Sequence, residues 1–141
     1  MLLKNIAIHE CSAILNEIKI TRLQDKELKL KLVHNYLELR KASNALMEDI
    51  QAIKSKFQDD WANELREVIV LRKNSEAIDE KKYADYLAAE KDANDALSAI
   101  NEGETEVDLQ PMETDVFVSA MGEDDITLSS IGYLSDMEVL V

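Results

Sequence analysis

From Asp25 to Arg72 the chain reads DKELKLKLVHNYLELRKASNALMEDIQAIKSKFQDDWANELREVIVLR, with no Gly or Pro to interrupt it. Its apolar residues Leu32, Leu39, Leu46, Ile50, Ile53, Phe57, Trp61, Leu65 and Val68 recur at steps of three, four or seven, the spacing that lines one face of an α-helix. A chain holding such a stretch is expected to be built around a long amphipathic helix. If straight, the stretch spans roughly 70 Å at about 1.5 Å per residue, longer than a compact domain of this size. The alternative is a bend near Asp59 and Asp60, either of which could cap a fresh helix starting at Trp61.

The rest of the composition agrees. Three Gly and one Pro in 141 residues supply few tight turns, and only 5% of residues are aromatic, so aliphatic residues and Ala must do the packing. The predicted class is mainly α: a long helical hairpin, a short N-terminal helix, and a small C-terminal arm of extended or β structure ending in a short helix. The predicted division is 1–24, 25–100 and 101–141.

The net charge of −13 is unevenly placed. All 16 Lys and Arg fall before residue 92, together with 16 of the 29 acids, so that part is balanced. The remaining 13 acids lie beyond it with no basic residue among them. A neutral body with an acidic end lacks the basic patch that displaces counterions from phosphate, so no direct nucleic-acid binding is expected. One cysteine, Cys11, excludes an intramolecular disulfide and fits a reducing compartment. The opening MLLKNIAIHECSAIL is too short and too charged for a signal peptide, and no later run reaches a membrane-spanning length. The expected location is a reducing cytosol or a particle assembled there.

Taken in order, residues 3–8 are expected to be extended with Ile6 and Ile8 on one side, and His9–Leu23 to form a first helix. Asp25 is the expected N-cap of the long helix. Residues 72–79 reverse the chain, with Ser75 or Asp79 capping the next helix. That second helix covers residues 80–100, with Tyr83, Leu87, Ala93, Leu97 and Ile100 inward. Asn101 and Gly103 end it, Gly103 being free to turn left-handed. Val107 and Leu109, separated by Asp108, and Val116 and Val118, again two residues apart, predict two short strands. Thr127 or Ser129 caps a final helix presenting Ile131 and Leu134, and 123–125 is a loop.

Catalytic and metal chemistry find little support. His9 and Cys11 are close in sequence, but no set of three or four zinc ligands is present. The acid clusters Asp59–Asp60 and Glu123–Asp125 could offer oxygen ligands to a divalent cation, but the second lacks the spaced ligands and glycine of a calcium loop, and both read as solvated acids. No catalytic residue, cofactor or metal is assigned. Phe57 and Trp61 are either interface anchors or core. The expected interface set is Leu39, Leu46, Ile50, Ile53, Phe57, Trp61, Val107, Leu109, Val116, Val118, Ile131 and Leu134.

Element order adds a resemblance. A leucine-containing leader, the helix ITRLQDKELKLKLVHNYLELRKASNALMEDIQAIKSKF, a second helix from IDEKKYADYLAAE, the strand EVDL and the terminal ITLSSIGYLSDM resemble an uncharacterised family of small tailed-phage proteins encoded among late, virion-related genes. Those proteins share a helical hairpin, a short strand and a terminal LxxL-type helix. The resemblance implies a non-enzymatic structural or assembly protein whose partners are copies of itself or other virion subunits, without nucleic acid or membrane. The alternative expectation is an acidic inhibitor that blocks a basic nucleic-acid site on a host protein. Residues 102–141 are expected to dock as an arm, so that deleting them leaves the helical signal largely intact.

Overall fold

A computed structural model of the chain describes residues 1–122 and 125–141. The loop expected at 123–125 therefore falls, for Glu123 and Asp124, outside the described residues. The order of elements is β1 (Leu2–Lys4), α1 (Asn5–Asn16), a 3₁₀ turn (Ile20–Arg22), α2 (Lys26–Asp60), α3 (Ala62–Lys73), α4 (Ala84–Glu102), β2 (Glu104–Glu106), α5 (Thr114–Ala120) and α6 (Leu128–Asp136). The class is mainly α, as the hydrophobic spacing requires. Contacts divide the chain into two compact units that cross its sequence order: residues 1–45 with 102–141, and residues 46–101. The divisions at 24 and 100 expected from sequence differ from this one, and α2 contributes residues to both units.

In the first unit, β1 pairs antiparallel with β2, Leu3 opposite Thr105. The pairing continues past both strand ends, Val107 N–H donating to Met1 O at 2.8 Å and Asn5 N–H to Gly103 O at 2.9 Å. Helix α1 starts at that last bond, so extended structure stops at Lys4 rather than residue 8. A strand would put Ile6 and Ile8 on one side, whereas a helix puts residues two apart on nearly opposite sides. Ile8 is buried and Ile6 is exposed. The helix also ends at Asn16, short of the expected Leu23; Ile18 and Leu23 are still buried, through the 3₁₀ turn and its flanks.

Asp25 caps α2 as expected, its Oδ1 accepting from Leu28 N–H at 3.0 Å. Leu28, Leu32, Leu39 and Leu46 are buried along one stripe. Asn35 sits in the same stripe and is fully buried. Its amide makes two bonds to one residue, Nδ2 donating to Gln110 O at 2.8 Å and Oδ1 accepting from Gln110 N–H at 2.7 Å. A side-chain amide thus serves the backbone of 107–112 as a neighbouring strand would, satisfying a donor and an acceptor that burial would otherwise leave costly.

The acidic arm is an integral part of this unit. Val107, Leu109, Met112, Phe117, Leu134, Val139 and Leu140 are all buried. Met112 and Leu140 form a parallel bridge, with Met112 N–H on Val139 O at 3.0 Å and Val141 N–H on Met112 O at 2.9 Å. The predicted strands need correcting. β2 ends at Glu106, just before Val107 and Leu109, and Val116 and Val118 lie on helix α5. Alternation would have placed those two valines inward; the helix instead buries Phe117 between them and leaves both exposed. One large aromatic on a seven-residue segment outweighed two valines. Thr127 caps α6, its Oγ1 accepting from Ser130 N–H at 3.2 Å.

The second unit contains residues 46–60 of α2 with α3 and α4. The long helix is broken once, at Trp61 (φ −128°, ψ 29°). Trp61 N–H still reaches Phe57 O at 3.0 Å and Leu65 N–H reaches Trp61 O at 2.8 Å, so the interruption is a one-residue bend. Trp61 holds the N-cap position with no side-chain cap bond, so neither Asp59 nor Asp60 caps α3. Asp79, rather than Ser75, prepares α4: its Oδ1 accepts from the N–H groups of Lys81 and Lys82 at 3.0 and 3.2 Å.

Two helices stop by a left-handed residue that is not glycine. After α3, Ser75 (φ 55°) lets Glu76 N–H reach Leu71 O at 2.9 Å and its own N–H reach Arg72 O at 3.1 Å. After α6, Glu138 (φ 60°) does the same, with Val139 N–H on Leu134 O at 2.9 Å and its own N–H on Ser135 O at 3.0 Å. This two-bond closure usually carries Gly at the left-handed position. Gly103, where that conformation was expected, does not adopt it.

Candidate functional site

The second unit has a small aromatic core. Val68, Tyr83 and Tyr86 are buried, and Phe57, Trp61, Leu65, Leu71, Ile78 and Leu87 pack around them half-buried. The Tyr86 ring lies 5.6 Å from Phe57, tilted, and 6.1 Å from Trp61, edge-on, the offset arrangements that aromatic quadrupoles favour. Phe57 and Trp61, undecided from sequence between core and interface, belong to this packing.

Polar groups tie its edge. Arg72 holds Glu90 by two bonds of 2.9 and 2.7 Å, and Tyr86 OH donates to Glu90 Oε2 at 2.9 Å. Arg72 keeps the Glu90 carboxyl below the usual carboxylate range, while burial and the Glu90 bond push the Tyr86 hydroxyl up to about 12. Tyr83 OH donates to Glu67 Oε2 at 2.7 Å.

Beside this core α2 and α4 run antiparallel, and a cleft opens among α2, α4 and Leu65 of α3. Ile53, Phe57, Leu65, Ala93 and Leu97 line it, with Lys54, Gln58, Glu90 and Asn94 at its edges, and it encloses about 380 Å³. Ile50, Ile53, Leu97 and Ile100 stay half-exposed along it, and Met47 is exposed. Ile69 and Val70, on α3, are exposed as well.

The expected interface residues therefore separate by burial. Leu39, Leu46, Val107, Leu109 and Leu134 are buried in the chain itself; their apolar surface is already used. Ile50, Ile53, Phe57, Trp61 and Ile131 are half-buried, and Val116 and Val118 are exposed on α5.

The chemistry-bearing residues are structural in their surroundings. Cys11 is fully buried, and burial pushes its thiol up to about 12, so it is not a thiolate near neutral pH. His9 Nδ1 shares a 2.7 Å hydrogen bond with Ser43 Oγ, tying α1 to α2. Ser43 lies inside α2, where backbone N–H groups are committed to the helix and none is free for an oxyanion. His34 Nε2 lies 2.8 Å from the Asp108 carbonyl oxygen, a second tie to the arm beside Asn35. Among the described residues no three His, Cys, Asp or Glu side chains cluster to hold a metal ion, and no helix is long and apolar enough to cross a membrane.

Asn35 and Tyr86 are the positions that sequence reasoning missed. Asn35 interrupts an otherwise apolar stripe, and a polar residue on the inward face was the available signal. No protein-family model, curated protein or solved structure matches the chain.

Proposed function

We propose that this chain is a non-enzymatic structural or assembly protein, phage-encoded, that works by packing a helical face against other protein subunits in the host cytoplasm or in the virion. The observation that carries the reading is the α2–α4 cleft: an antiparallel helix pair whose aliphatic side chains are left half-exposed over several turns. Two helices cannot enclose a core between them, and such a seam asks for further helices. The phage origin rests on the resemblance in element order alone.

The acidic-inhibitor alternative carries less. It rests on the 13 acids after Lys91 standing in place of phosphates, and the apolar residues among them serve the core of the first unit. Capture from host lysate and from infected-cell lysate, in low and in raised salt, separates the two. Recovery of capsid, tail or assembly proteins that persists in raised salt is the expected result. Salt-sensitive recovery of a host nuclease or polymerase would replace this reading with the inhibitor.

A further inference from the structure

We propose that the outward face of the first half of α2 docks a helical segment of another protein, one that carries large apolar side chains flanked by Asp or Glu. The surface belongs to the first unit and stands independently of the α2–α4 cleft. Here α2 is apolar on two opposite sides. Leu28, Leu32 and Leu39 are buried in the core, while Lys26, Leu30, Val33, Leu37, Arg40 and Asn44 follow one another at steps of four and three on the other side. At the centre of that second stripe Leu30 is 64% exposed and Leu37 53%, with Val33 half-buried between them. A helix with two apolar sides asks for a neighbour on each, and the second side is open.

Charge selects the kind of partner. Lys26, Lys29, Arg40 and Lys41 lie on or beside the stripe, and among the described residues none of the four is in an ion pair. The acids of the same stretch, Glu27 and Glu38, fall by helical position on the Lys31 flank, where Glu27 pairs with Lys31 at 3.4 Å. The next acid on the stripe, Glu48, comes one turn beyond Asn44. Four unpaired cations around three apolar side chains match an acidic segment, which they would orient and draw in. The same face of a second copy would set like charges against one another. Shape favours a protein over a lipid surface. Beside Val33 the surface is concave: Leu15, Ile18, Ile20, Leu32, Val33 and Tyr36 line a depression of about 240 Å³, at whose edge Tyr36 OH donates to Asn16 Oδ1 at 2.9 Å. A large side chain of a docked helix fills such a depression; a flat bilayer surface does not.

Fluorescence anisotropy on the full chain tests the proposal with two labelled synthetic helical peptides, one of Leu and Glu at heptad spacing and the other with Lys in place of Glu. The Leu–Glu peptide is expected to bind, less tightly in raised salt, and the Leu–Lys peptide not to bind. Lys26→Glu with Arg40→Glu, and separately Leu37→Asp, change exposed positions, and circular dichroism checks that the fold survives them; each is expected to weaken binding by about tenfold. No binding of the Leu–Glu peptide, equal binding of both peptides, or indifference to these variants would overturn the proposal. Two further outcomes would replace the occupant: binding to phosphatidylglycerol vesicles that Leu37→Asp abolishes would make the face a membrane contact, and a dimer by light scattering that Leu37→Asp dissociates would make it a contact between copies.

Discussion

The two compact units are made from the same kind of sequence but reach burial differently. The first, residues 1–45 with 102–141, holds 17 of the 21 buried hydrophobic residues found among the described positions, and the second holds four. The first brings together segments a hundred residues apart and seals them with a β pairing, a buried amide and the Met112–Leu140 bridge. The second is made of consecutive helices that meet through a few aromatic rings. Long-range closure lets short, mixed elements surround a core, whereas neighbouring helices leave a seam that only another helix can fill.

Removing residues 102–141 is expected to have the largest effect, and it departs from the expectation drawn from sequence. The deletion takes away β2, Phe117, Leu134 and the Gln110 backbone that Asn35 holds, so the first unit should unfold and helical circular dichroism should fall with it. A truncated chain that kept its helical signal and its hydrogen-exchange protection in α1 would show that the arm is only appended.

Tyr86→Ala should cost about 3–5 kcal/mol, the usual range for deleting a large buried aromatic, and in a unit with four buried hydrophobic residues that is enough to open it. Hydrogen exchange should report lost protection in α3 and α4 with α1 and α6 still protected. Uniform loss would mean that the units do not unfold separately. In the first unit Asn35→Leu should cost about 1–3 kcal/mol, because it removes both part-buried hydrogen bonds to the Gln110 backbone. Denaturant titration reads it, and a neutral result would show that 107–112 is held by packing alone.

A smaller effect comes from acid. The Glu90 carboxyl is depressed in the folded state, chiefly by its hydrogen bond from Arg72, so its contribution is present above the unfolded carboxylate pKa and lost as pH falls through the lower folded value. Arg72 is 47% exposed, which keeps that contribution modest. Glu90→Gln should flatten the acid limb of stability in the second unit; an unchanged limb would remove the pair from the account.

The smallest changes are stabilising and fall in both units. Ser75→Gly and Glu138→Gly relieve a left-handed side chain and should each add about 0.5–1 kcal/mol, the relief being partly offset by a freer unfolded chain. Gly132→Ala, where an added Cβ meets nothing within 4 Å, should add up to about 1 kcal/mol to α6. Thermal unfolding measures all three, and destabilisation by either glycine variant would mean that its side chain makes a contact worth more than the strain.

What sequence determined by itself was local: a mainly helical chain, the α2 stripe, and the Asp25 and Thr127 caps. Each arises from side-chain periodicity or from a cap that satisfies its own helix end. Only the tertiary structure decided which half of that stripe would be sealed. Asn35 reads as a flaw in an apolar face until Gln110, 75 residues away, supplies its partner. Val116 and Val118 alternate like a strand, yet burial of Phe117 makes the segment a helix, and Ser75 and Glu138 take a conformation that composition alone assigns to glycine. For Asn35 the deciding contact is with a distant segment, and local pattern holds no record of which segment arrives.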